Sequence, residues 1–146
     1  ALVSVVGRST CQVPGLKAAE IDGRLEAAGI EMVYVFCVND GAVMTAWKDS
    51  MGLAGSDMIE FLADTHGELT EALGLTLTGP GKAYAQGEGP NKALGFHTKR
   101  CKRSAMYVVD GVIKVMQVSE APDDPAGDAH PEASCIENMI KLIGEL

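Results

Sequence analysis

Residues 1–38 read ALVSVVGRSTCQVPGLKAAEIDGRLEAAGIEMVYVFCV, and they decide the fold. ALVSVV (1–6) and EMVYVFCV (31–38) are short runs of β-branched, aliphatic and aromatic residues flanked by glycine, as expected of strands buried inside a mostly parallel sheet. Between them LKAAEIDGRLEAAG (16–29) carries apolar residues at helical spacing and closes on Gly29, a helix-ending signal. Strand, helix, strand is a β-α-β unit, and Val13-Pro14-Gly15 reads as the turn that enters its helix.

The alternation continues. Asn39-Asp40 is an N-cap signal before a second helix, GAVMTAWKDSMG (41–52), followed by the strand MIEFLAD (58–64) and a short helix, THGELTEALGL (65–75). SAMYVV (104–109) and VIKVMQV (112–118) flank Asp110-Gly111, the dipeptide suited to a two-residue hairpin turn. ASCIENMIKLIGEL (133–146) is an amphipathic helix with Ile136, Met139, Ile140 and Ile143 along one face. TLTGPGKAYAQGEGPNKALGFHTK (76–99) and SEAPDDPAGDAHPE (119–132) are rich in Gly, Pro or acid and read as exposed loops. The expected class is α/β, a central mixed sheet flanked by helices in one domain spanning 1–146.

Composition removes several function classes. A chain of 146 residues that is 47% hydrophobic can bury a core without disulfides. Its net charge of -8 opposes nucleic-acid binding, which needs clustered positive charge to displace counterions. No apolar run approaches the roughly 20 residues of a membrane helix. The chain starts at Ala1 inside an apolar strand, so a leader already removed, or missing N-terminal elements, is the expectation, with a soluble organellar or cytoplasmic location. Cys11, Cys37, Cys101 and Cys135 are far apart with no CxxC pair, which suggests individual thiols and neither a metal centre nor a disulfide scaffold.

Other constellations are weak. GPGK (79–82) lacks the leading Gly and trailing Ser or Thr of a phosphate loop. Asp123, Asp124, Asp128 and His130 match no cation cage, and His66 and His97 have no Ser or Cys partner at a recognisable spacing. The basic run HTKRCKR (97–103) reads as a solvated loop or as a dock for an acidic partner, and its four cations would lower the pKa of Cys101 if that thiol were exposed. Cys37, inside VYVFCV, reads as a structural thiol, and Trp47 as a packing or interface residue. No cofactor is indicated.

Four collinear stretches carry a family likeness: VPGL (13–16), VFCVNDGAVMTAW (35–47), FLADTHGELTEALGL (61–75) and KRSAMYVVDGVIKV (102–115). The chain resembles the type V peroxiredoxins, the redoxin branch of the thiol peroxidases, which have a thioredoxin-like fold. On that likeness it is an N-terminally shortened peroxiredoxin with insertion loops at about 76–102 and 119–132. The resemblance implies a peroxidatic cysteine at the first turn of the first helix that attacks hydroperoxides as thiolate, aided by the helix N-terminus and an arginine. Cys11 and Arg103 are the residues available for those places, and Cys135 lies near where some members keep a resolving thiol. It also implies homodimers, and recycling by thioredoxin, glutaredoxin or glutathione.

The chain departs from the family at the reactive turn, where members place proline, three residues, threonine, two residues and cysteine. Counted back from Pro14 without gaps, the cysteine position falls on Arg8 and the threonine position on Val5. Aligned forward from VVGR, the turn is about five residues short and Arg8 stands for the threonine, in a reaction where misplacement by about 1 Å costs roughly a hundredfold in rate. Two readings follow. In one the peroxidatic site is impaired or lost and the chain is a structural or interaction subunit of a larger assembly. In the other it is an active peroxidase working through Cys11.

Overall fold

The structure, a computed structural model, describes residues 2–6 as backbone and 12–77, 100–122, 124, 127 and 129–146 in full. Its strands are β1 (Leu2–Val6), β2 (Met32–Cys37), β3 (Ile59–Ala63), β4 (Ser104–Val109) and β5 (Val112–Val118). Its helices are α1 (Gln12–Ile21), α2 (Arg24–Ala27), α3 (Gly41–Ser50), α4 (Glu68–Ala72) and α5 (Ile136–Gly144), the last preceded by a 3-10 turn at Pro131–Ser134. The strands form one sheet in the order β3-β2-β1-β4-β5. β1, β2 and β3 run parallel, while β4 lies antiparallel to β1 and to β5. The mixed α/β sheet expected from the sequence is present.

Connection geometry decides which face of the sheet is covered. The chain steps from β1 to β2 to β3 in one direction, and crossovers between parallel strands are right-handed, so their helices fall on the same face. The core agrees: Val13, Leu16 and Ala19 of α1, Leu25 of α2 and Ile136 and Met139 of α5 pack with Val33, Val35 and Ile59 of the sheet, and Trp47 of α3 joins them. Trp47 stacks edge-on against Phe61, with ring centroids 4.9 Å apart, so its packing role holds. The opposite face carries a smaller cluster of Phe36, Leu75 and Met106.

Two sequence expectations need correction. The Val13-Pro14-Gly15 turn lies inside the first turn of α1, where proline is tolerated because the first backbone N–H groups of a helix have no intrahelical acceptor. Gly15 is there for close approach, since a Cβ would sit 3.3 Å from Ile136 Cγ2 of α5. The single helix expected over 16–29 is two, because Gly23 adopts a φ of 76° and Asp22 accepts hydrogen bonds from both the Arg24 backbone N–H and its Nε. Among the described residues of the loop 119–132, Glu120, Pro122, Ala129, His130 and Glu132 are exposed. Ser119 is buried at its start, and it leads into the turn that buries Ser134. The hairpin forms as expected, with Asp110 and Gly111 both at positive φ.

Leu16, 1% exposed, fills the space between α1 and the sheet. Leu16→Ala is expected to lower unfolding free energy by about 2–5 kcal/mol, read as a reduced denaturant midpoint with unchanged slope.

Candidate functional site

The carboxyl ends of the three parallel strands emerge on one edge of the sheet. There Val6 pairs with Phe36 on one side and with Ser104 on the other, so β4 begins where β1 ends. β1 is followed by β2 on one side and bordered by β4 on the other, and a crevice beyond the carboxyl end of such a strand is where open α/β sheets bind ligands. The segment between β1 and α1 contains Cys11. Cys11 itself, with Arg8, lies outside the described residues, as do His97, GPGK, Asp123 and Asp128.

The residues bordering that segment are well defined. Arg103 immediately precedes β4 at this edge and is 4% exposed. Gln12, the residue after Cys11, opens α1 and is 1% exposed. Its Nε2 donates to the Ser134 carbonyl at 3.0 Å and to Ser134 Oγ at 2.9 Å, with Ser104 O at 3.4 Å. Ser134 Oγ is 2.8 Å from Ser119 Oγ, and the Ser119 backbone N–H donates to Arg103 O at 2.9 Å. Three separate segments, at 12, 103–104 and 119–134, thus meet in one buried polar cluster. Three oxygens converge on Nε2, which fixes the orientation of the carboxamide.

Cys135 caps the N-terminus of α5 and places its Sγ 3.4 Å from Pro131 O. It directly follows Ser134, so Cys11 and Cys135 each adjoin one end of the Gln12–Ser134 hydrogen bond. α1 has no acidic residue of its own in its first turn, and the Glu137 carboxylate of α5 lies 3.6 Å from where a Cβ on Gly15 would sit.

The other two thiols are elsewhere. Cys37 ends β2, with Met44 Sδ of α3 at 3.3 Å and Asn39 Nδ2 at 3.5 Å. Burial raises its pKa, against a lowering by the Asn39 side chain and by Arg100. Cys101, expected as a loop thiol whose basic neighbours would acidify it only if it were exposed, pairs with Thr76 in an isolated bridge and packs among Phe36 and Leu75. Burial pushes its pKa up to about 11, although the Val38 N–H hydrogen bond partly opposes the shift. Desolvation therefore decides the shift, and the nearby Cys37 and Asp64 add to it. At the same edge Asp64 is buried, which alone would raise its pKa. The Thr70 hydroxyl and the N–H groups of Thr70, Leu69 and Glu68 outweigh that and lower it, so Asp64 serves as a fixed anion holding α4.

The remaining sequence candidates stay apart. His66 is exposed, His130 faces Glu132 at 3.3 Å, and Asp124 accepts the Ala129 N–H at 2.8 Å. Among the described residues no three His, Cys, Asp or Glu converge as metal ligands, and no helix is long and apolar enough to cross a membrane.

The Redoxin family model matches residues 2–132. The chain belongs to the redoxin family. Several curated relatives of this redoxin are named peroxiredoxins. It is 36% identical over 121 residues to the chloroplastic peroxiredoxin-2E-2 of Oryza sativa subsp. japonica, covering 83% of this chain and 45% of that protein. It is also 36% identical over 115 residues to the hybrid peroxiredoxin hyPrx5 of Haemophilus influenzae, covering 79% of this chain and 39% of that protein. The redoxin thus spans about half or less of the length of these relatives. Among solved structures, reduced Prx3 of Vibrio vulnificus in complex with H2O2 aligns at TM-score 0.71 and 26% identity, covering 98% of this chain and 77% of that one. Peroxiredoxin 5 of Alvinella pompejana aligns at TM-score 0.68 and 25% identity, with coverages of 99% and 78%. The fold is therefore the thioredoxin-like fold of peroxiredoxins.

Sequence reasoning singled out Cys11, Arg103 and Cys135 but missed Gln12, Ser119 and Ser134 of the redoxin. One signal was available: Gln12 occupies the same buried helical stripe as Leu16 and Ala19, where a polar residue needs a partner. The two serines carry no such signal, because they fall in a stretch whose composition reads as loop.

Alkylation rate follows the thiolate fraction, which a raised pKa reduces at neutral pH. Iodoacetamide labelling of native protein at pH 8 is expected to modify Cys101 about a hundredfold or more slowly than an ordinary exposed thiol, and to accelerate as pH rises toward 11, with peptide mass spectrometry as the readout.

Proposed function

We propose that this chain, as one domain spanning 1–146, is a thiol-dependent peroxidase that reduces hydrogen peroxide or alkyl hydroperoxides through Cys11. The observation that carries the reading is the Gln12–Ser134 hydrogen bond, which brings the neighbours of Cys11 and Cys135 together beside the start of β4, where Arg103 is buried.

In this mechanism the Cys11 thiolate attacks a peroxide oxygen. The O–O bond breaks, Cys11 becomes a sulfenic acid, and the other oxygen leaves as water or alcohol after taking up a proton. The Arg103 guanidinium favours the thiolate and the charge on the departing oxygen. Cys135 then condenses with the sulfenic acid, releasing water and forming an intrachain disulfide. Two electrons from thioredoxin, glutaredoxin or glutathione restore the dithiol by exchange. The dimeric state is carried over from the family, and an organellar location rests on relatives named chloroplastic and mitochondrial.

A second reading is favoured by one observation, the shortened reactive turn. With Val5 or Arg8 in place of the family's threonine, no hydroxyl stands at that position to orient the peroxide, and the chain would then act as a structural or interaction subunit.

Reduced protein mixed with stoichiometric hydrogen peroxide is expected to form a trappable sulfenic acid at Cys11 at least about a hundredfold faster than a free thiol at the same pH. Cys11→Ser should abolish the reaction, and Arg103→Ala should slow it by about tenfold or more. Oxidation of Cys11 at the rate of a free thiol would favour the subunit reading and contradict the enzyme.

A further inference from the structure

Three sulfur atoms gather at the carboxyl end of β2, and the chemistry proposed for Cys11 uses none of them. The Cys37 thiol donates to Met44 Sδ of α3 at 3.3 Å, and Asn39 Nδ2 lies 3.5 Å from the same thiol. Cys101 comes to this strand end from the other side of the sheet order. It packs among Phe36 and Leu75, and its sulfur accepts the Val38 N–H, so it is set against the two residues that flank Cys37. The charges of the two thiols act on one another, and Asp64 acts on both.

Packing alone does not call for this set. Met44 is 1% exposed, and leucine would fill its space at little cost. Cys37 and Cys101 are only partly buried, which leaves a small ion a way in from solvent. A metal–sulfur bond is about 2.3 Å long. Two sulfurs 3.3 Å apart can therefore both bond one cation, in the place now taken by the thiol proton they share. Thiolate and thioether are soft ligands that select copper(I), whereas zinc completes a tetrahedron of thiolate, imidazole or carboxylate. Among the described residues no three His, Cys, Asp or Glu meet, and the Asp64 carboxylate is already taken by the Thr70 hydroxyl and the N–H groups of Leu69 and Thr70. The donors that remain are the three sulfurs.

We propose that Cys37, Met44 and Cys101 form a copper(I) site at the carboxyl end of β2. Binding breaks the two S–H bonds, forms two copper–thiolate bonds and one copper–thioether bond, and releases both protons to water. No electron is transferred, and the ion enters and stays as copper(I). Two thiolates around one copper(I) leave a net negative charge, which the Arg100 charge that acts on Cys37 opposes. Asn39 Nδ2 is placed to donate to the Cys37 sulfur in that state and to hold its direction. Cys11 and Cys135 take no part, so the site does not depend on the peroxidase reading.

The test titrates copper(I) alone, without oxygen, into the reduced full chain against the chelator bathocuproine disulfonate, with Cys11→Ser and Cys135→Ser introduced together so that no other thiol competes. The expected result is about one copper(I) held per chain, about two protons released as it binds, and a sulfur-only set of neighbours in the X-ray absorption spectrum. Cys37→Ser and Cys101→Ser are each expected to weaken binding about a hundredfold or more. Met44→Leu, which keeps the volume, is expected to weaken it about tenfold or more and to remove one sulfur neighbour. If a serine variant does not fold, Met44→Leu and the proton count carry the test. Failure to hold copper(I) against the chelator would overturn the proposal. So would binding that releases no protons, or binding that loss of Cys37, Cys101 or Met44 leaves unweakened. None of these readouts involves peroxide, so failure of the site and failure of the peroxidase reading are separate results.

Discussion

The hydrogen bonds from the Gln12 carboxamide to Ser134 are the constraint on which the arrangement of this protein's edge depends. An amide at 1% exposure left without acceptors loses about 1–3 kcal/mol, so the first turn of α1 is stable only where Ser134 meets it. The same bond ties the 3-10 turn before α5 to α1, while the Ser119 backbone N–H, bonded to Arg103 O, joins the segment leaving β5 to the start of β4. The sheet supplies the platform, with β1 ending beside Ser104. The carboxamide decides how the three segments converge on that platform.

The same edge sorts the thiols by environment. Cys37 and Cys101 sit against Met44, Phe36 and Leu75, where desolvation disfavours the anion and holds their pKa values above the ordinary range. The segment bearing Cys11 leads into α1, which has no acidic residue of its own in its first turn, and Arg103 is buried at the start of β4. Burial thus holds two of the thiols in their protonated form, and Cys135 stands at the N-cap of α5.

Much of this was legible in the sequence and some was not. The β-branched strands, the Asp110-Gly111 turn and the Ile136, Met139, Ile140 face of α5 announce themselves because local geometry and burial agree there. The extent of α1 did not, because Val-Pro-Gly has the signature of a turn, and only the packing of Gly15 against Ile136 shows why those residues are helical. Cys101 misled for a different reason. Four cations surround it in sequence, yet its side chain is turned into the second core cluster, and burial depends on tertiary contacts no local count reveals. Ser134 was invisible because its partner Gln12 lies 122 residues away in the chain, and Ser119 because its partners, Ser134 and Arg103, meet it only in the folded chain.

On the proposed function, this edge should favour a thiolate at Cys11. The direct measurement is the pH titration of that thiolate, by absorbance or by alkylation rate, in protein whose other three cysteines are replaced by serine. A midpoint well below the roughly 8.5 of a free cysteine, moving upward in the Arg103→Ala background, is the predicted result. A midpoint at or above that value, unmoved by loss of the guanidinium, would contradict it.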